Sequence, residues 1–158
     1  YPSILTHFSP FSDLWVMHSQ YLERGSGGEV SESPVPDILL VEDNPDIAEL
    51  EIRILEKRGF SIRHATTTRG GILLYNEHKP DLIILDLNLP DIGGWQLLEY
   101  ARQRGRVPPV IVTSANDDML NRINGKLYNV NHYLVKPVSK HILVEAVYDV
   151  LKLQNARL

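Results

Sequence analysis

Short apolar runs recur along this chain at intervals filled by helix-patterned sequence, and that alternation restricts its fold more than any other feature. Ile38-Leu39-Leu40-Val41 and Leu82-Ile83-Ile84-Leu85 are continuous rather than alternating, the pattern of strands buried on both faces. Phe60 to Ala65, Val110 to Ser114 and Tyr133-Leu134-Val135 read as three further strands. Between them, apolar residues fall at helical spacing. Asn44-Pro45 sets a capping side chain before a proline at the first helical position, and Ile47, Leu50, Ile54 and Leu55 then form one stripe that Gly59 stops. The Thr66–Thr68 run can cap a second helix, which Gly70-Gly71 weakens. Trp95 to Gln103 and Asp117 to Tyr128 are helical, and Ile142, Leu143, Ala146, Val147, Val150 and Leu151 mark a last helix. Five β/α units in about 120 residues predict an α/β fold, a doubly wound parallel sheet with helices on both faces.

Composition narrows the function classes. A net charge of −4 argues against broad electrostatic binding to DNA or to an anionic membrane, and no helix-turn-helix pattern or basic stripe is present. No apolar run approaches the roughly 20 residues of a membrane span. The absence of cysteine excludes disulfides and thiolate chemistry and fits a cytoplasmic setting. The chain opens on Tyr1 without a secretory pattern, as a fragment would. Residues 1–36 read as an extension to a domain over 37–158. Glu23 to Pro36 (ERGSGGEVSESPVP) has the composition of a linker. Upstream, Ser9-Pro10 opens a segment with Phe11, Leu14, Trp15, His18 and Leu22 at helical spacing. That pattern suits a helix packed on its own domain, a tethered recognition peptide, or disorder.

Parallel α/β sheets place ligands beyond the carboxyl ends of their strands. At those ends stand Glu42-Asp43, Asp86, Thr113-Ser114 and Lys136-Pro137. A lone acid after a strand is ordinarily a cap or a solvated loop residue. Several held together repel one another unless a cation lies among them. Hard oxygen ligands without histidine suit Mg²⁺ or Mn²⁺. Three carboxylates, a divalent cation and one ammonium balance, leaving the site able to accept a phosphoryl group.

In these segments the chain resembles the receiver domain of two-component response regulators. The resemblance rests on Leu40-Val41-Glu42-Asp43-Asn44, on Asp86-Leu87-Asn88-Leu89-Pro90 with Gly94, on Val112-Thr113-Ser114-Ala115 and on Tyr133-Leu134-Val135-Lys136-Pro137, in order, each after an apolar strand. It spans roughly residues 37–153 and implies a flavodoxin-like strand order, 2-1-3-4-5. It further implies that Asp86 takes a phosphoryl group from a histidine kinase or phosphotransfer protein. Glu42, Asp43, Asp86 and the backbone carbonyl of Asn88 would hold Mg²⁺, with Lys136 neutralising phosphoryl charge and preceding a cis proline bond. Ser114 fits the family's hydroxyl position, with its neighbour Thr113 the alternative. Tyr133 resembles the switch aromatic, and output would pass to a protein partner through the face of the fourth helix, fifth strand and fifth helix. Asn88 and Asn116 would border the path of attacking water. One departure is Asn129-Val130, where the family favours Gly-Ala; asparagine tolerates the left-handed backbone such a turn needs.

Two other readings compete. A dehalogenase-type phosphohydrolase also uses a strand-end aspartate, but it needs a second acid where this chain has Asn88. A pseudo-receiver acting only as an interaction module typically lacks an acid, the hydroxyl or the lysine, all of which are here.

Overall fold

A computed structural model describes residues 34–155, with side chains through residue 152. The helix expected from Ser9-Pro10 and the linker from Glu23 lie outside the described residues, except for residues 34–36, which have no regular structure. Five strands, β1 (Asp37–Val41), β2 (Ser61–Ala65), β3 (Leu82–Asp86), β4 (Val110–Ser114) and β5 (His132–Val135), alternate with five helices. These are α1 (Pro45–Glu56), α2 (Thr68–His78), α3 (Trp95–Gln103), α4 (Met119–Leu127) and α5 (Lys140–Asn155). All pairings are parallel, in the order β2-β1-β3-β4-β5. The expected flavodoxin-like topology is the observed one. None of the described helices is long and apolar enough to cross a membrane.

The continuous apolar strands are buried on both faces. Ile38, Leu40, Ile84 and Ile111 pack with Ala48, Leu55, Leu143 and Val147 from α1 and α5. Leu39, Val41, Leu85 and Val112 pack on the other side with Tyr75, Leu97, Leu98 and Ala101 from α2 and α3. Each such side chain removed from water is worth roughly 1.5–3 kcal/mol, which is what fixes the strand register.

Local signals set most element ends. Asn44 Oδ1 accepts from the Asp46 and Ile47 N–H groups, with Pro45 opening α1. Within the Thr66–Thr68 run it is Thr67 that caps α2, accepting from Gly70. Asp118 caps α4, which therefore starts later than the Asp117 expected. Similarly, β2 starts at Ser61 rather than Phe60. Asn129 adopts φ 54°, the left-handed turn anticipated for it.

The stripe expected on α1 needs correction. Leu50 is 59% exposed, whereas Glu51 is only 6% exposed. Successive helical residues are about 100° apart, so an arc bounded by Ile54 and Ala48 has residue 51 at its centre and residue 50 outside it. Ile142, placed on the buried stripe of α5, is also exposed, while Leu143, Ala146, Val147, Val150 and Leu151 are buried.

Gly94 shows how tightly the loop after β3 closes. A Cβ there would lie 2.7 Å from the Asp86 carbonyl oxygen and 3.1 Å from Leu87 Cα, both backbone atoms. Gly94→Ala must push the loop off the end of β3, at an expected cost of about 2 kcal/mol. Urea denaturation measures this. An unchanged midpoint would show that the loop yields freely.

Candidate functional site at the carboxyl edge of the sheet

Three strand ends deliver one ionic cluster. Glu42 follows β1, Asp86 ends β3 and Lys136 follows β5, so their convergence is a consequence of the strand order. The Lys136 ammonium donates to Glu42 Oε2 at 2.7 Å and to Asp86 Oδ2 at 3.0 Å. Glu42 and Asp86 are almost fully buried, at 1% and 3% exposure. The second oxygen of each accepts a backbone N–H, Glu42 Oε1 from Asn44 at 3.0 Å and Asp86 Oδ1 from Asn88 at 2.9 Å. Asp43 stands exposed beside them, and the three acids each offer an oxygen within 4.8 Å of the others.

Electrostatics follow from burial. Loss of solvent pushes the Glu42 carboxyl above its ordinary range, aided by the Asp86 charge and opposed by hydrogen bonds from Lys136 and Asn44. Burial works against the Lys136 ammonium, but its bonds to Glu42 and Asp86 win and hold its pKa above the ordinary lysine value. The outcome is two buried carboxylates bridged by one cation, with a third carboxylate open to solvent. That donor set suits a hard divalent cation, which prefers carboxylate, carbonyl and water oxygens.

The remaining expected residues lie around this cluster. Thr113 and Ser114 are both buried at the end of β4. Thr113 is in register with Asp86, and Ser114 is one residue beyond. Alternation puts Ser114 on the sheet face of Val112, the face shared by Tyr133, which pairs with Val112. Ser114 Oγ accepts from the Asn116 N–H at 3.1 Å, and the Tyr133 hydroxyl donates to the Asn116 carbonyl at 2.6 Å. Asn116 thus joins the two. Arg122 lies over the Tyr133 ring at 5.9 Å and pairs with Asp117. The Lys136–Pro137 bond is cis. Asp91 was not anticipated from sequence: it accepts from the Thr68 and Arg69 N–H groups and ties the loop after β3 to the start of α2. An aspartate directly after a loop proline, Pro90, carries no signal of so distant a partner.

Fold and ionic cluster together define a module of two-component signalling. A model of the response regulator receiver domain matches residues 38–148. The chain belongs to that family, whose members bind Mg²⁺ at an acidic pocket and act as signalling phosphoacceptors rather than enzymes turning over a separate substrate. Similar curated proteins include the transcriptional regulatory protein HprR of Escherichia coli, 36% identical over 119 residues, or 75% of this chain and 53% of that protein. Another is AfsQ1 of Streptomyces coelicolor, 31% identical over 118 residues, 75% of this chain and 52% of that protein. The chain thus spans about half the length of these regulators. It covers 96% of Protein PilH of Pseudomonas aeruginosa, at 28% identity over 116 residues and 72% of this chain. Among solved structures, a CheY-like response regulator receiver domain protein of Methanospirillum hungatei matches with TM-score 0.75 and 26% identity, covering 79% of this chain and all of that one.

Proposed function

We propose that Asp86 accepts a phosphoryl group from a histidine kinase or phosphotransfer protein, and that the aspartyl-phosphate alters partner binding. The observation that carries this reading is the buried bridge in which Lys136 touches both Glu42 and Asp86. A carboxylate oxygen of Asp86 attacks phosphorus, and the P–N bond of the donor phosphohistidine breaks with its electron pair returning to the imidazole. Lys136 stays beside Asp86 and offsets charge on the transferred oxygens. Glu42, Asp43, Asp86 and the Asn88 carbonyl are the residues that would hold Mg²⁺, which supplies electrostatic stabilisation of the phosphoryl group when bound. Positioning falls to the Asn88 N–H, which fixes one Asp86 oxygen.

Ser114 is the hydroxyl we assign to the phosphoryl group, in preference to Thr113. Its link through Asn116 to Tyr133 offers a route by which a pull on Ser114 reaches the outer face. Output then passes through α4, β5 and α5 to a protein partner, as a population shift between two loop arrangements. Asn88 and Asn116 flank the path of hydrolytic water. The phosphoacceptor unit is residues 37–158, with 1–36 a separate extension, and the cytoplasm is its working compartment.

Incubation with an acyl phosphate and Mg²⁺ should add one phosphoryl group, mapped to Asp86 by mass spectrometry. Labelling should vanish in Asp86→Ala and in excess chelator. Labelling that persists in Asp86→Ala overturns the assignment.

A further inference from the structure

The phosphoacceptor chemistry leaves Glu51 unused. This residue lies at the centre of the inward face of α1, where an apolar side chain would be expected, and it is 6% exposed. Its Oε2 is sealed from solvent without a hydrogen-bond partner. A carboxylate in that situation is costly unless a cation is supplied. Burial, with the Glu42 and Asp86 charges and against the pull of Lys136, pushes its carboxyl up to about 7.

Glu51 also lines a groove of ≈ 480 Å³ between α1 and the segment leading into α5. Ile47, Leu50 and Ile54 form one wall and Pro137, Val138 and Leu143 the other. This is the size and character of a small-molecule site: a mostly apolar cleft in which Glu51 is the one acid and Lys136 and Lys140 are the other charged lining residues. The charged groups facing Glu51 are Glu42 at the end of β1, Asp86 at the end of β3, Lys136 after β5 and Lys140 at the start of α5. Lys136 is already engaged by Glu42 and Asp86. Lys140 is exposed, and a long stem lets its ammonium remain in water. The surroundings of Glu51 therefore favour an added cation.

We propose that this groove binds a small apolar cation, an ammonium or guanidinium on an aliphatic or aromatic stem, with Glu51 as its counter-ion. The stem replaces water along Ile47, Leu50, Ile54 and Leu143, and the head reaches the buried carboxylate. Binding requires Glu51 ionised, so the complex forms with release of a proton near neutral pH. The groove adjoins the phosphoacceptor site, with Lys136 lining both, but binding there does not require phosphoryl transfer.

Hexylamine is the test ligand and 1-hexanol its neutral counterpart, titrated into the full chain with Mg²⁺ present. The methyl resonances of Leu50, Ile54 and Leu143 report occupancy. Hexylamine should shift them saturably, about tenfold more tightly at pH 8 than at pH 6, because the ionised fraction of Glu51 rises by that factor. Hexanol should bind at least about tenfold more weakly than hexylamine at pH 8, and Glu51→Gln should abolish the preference. In Lys140→Met, which leaves Glu51 in place, binding should persist. Equal binding of amine and alcohol, a preference retained in Glu51→Gln, loss of binding in Lys140→Met, or shifts confined to Asp43 and Asp86 would each overturn the proposal. So would a leucine-flanked lysine peptide binding here while hexylamine does not, since the occupant would then be a protein.

Discussion

Replacing Lys136 with methionine should lower the stability of the metal-free protein by about 3 kcal/mol at pH 7, the low end for removing one partner of a buried ion pair. The substitution keeps most of the side-chain length but removes the cation that bridges Glu42 and Asp86. Both carboxylates are almost wholly buried, and neither gains an alternative counter-charge. Two like charges in that setting raise each other's proton affinity. The destabilisation should therefore shrink as pH falls, because the folded state of the variant takes up protons more readily than the unfolded chain. Millimolar Mg²⁺ should restore part of the loss. Urea denaturation of both proteins at pH 5 and 7, with and without Mg²⁺, measures all three effects. A pH-independent difference that Mg²⁺ leaves untouched would mean that Lys136 acts by packing alone.

The opposite sign is expected at Glu51. Its carboxyl, pushed up to about 7 from an ordinary value of 4.5, binds protons more tightly in the folded state. The penalty for burying it is absent below pH 4.5, grows between pH 4.5 and 7, and is complete above 7. A rise of that size corresponds to about 3 kcal/mol. Glu51→Leu fills the same space with apolar atoms and removes the ionisable group. The variant should be more stable than the parent by about 3 kcal/mol at pH 8 and by only about 1 kcal/mol at pH 5. Chemical denaturation at the two pH values tests this; a gain independent of pH would assign the effect to packing and not to charge. Retaining a destabilising acid at the centre of a packed helix face accords with a ligand that supplies the missing cation.

Much of the acidic pocket was legible because its residues interrupt strong local patterns. Glu42-Asp43 and Asp86 follow continuous apolar runs, and Lys136-Pro137 follows a short one, so each marks a strand end without knowledge of its neighbours. Glu51 left no such mark. It sits among charged and apolar residues on α1, and Leu50 beside it makes an equally good stripe with Ile47 and Ile54. Periodicity gives the width of an apolar arc but leaves its centre open by one residue, or about 100° of rotation. Asp91 escaped for a related reason, since its partners Thr68 and Arg69 lie more than twenty positions earlier in the chain.

Within residues 37–155, the sequence by itself determined the number and order of elements, their parallel pairing and the residues at the carboxyl edge. These depend on short-range causes: strand burial, capping side chains, and a topology that five β/α units leave little freedom to vary. Only the tertiary structure decided which face α1 turns inward, that Asn116 joins Ser114 to Tyr133, and that Lys136 spans Glu42 and Asp86. Each depends on how separate elements settle against one another. A rotation of one residue in a helix, or of one rotamer in a buried lysine, is fixed by the close packing of the whole interior and not by any local stretch of chain.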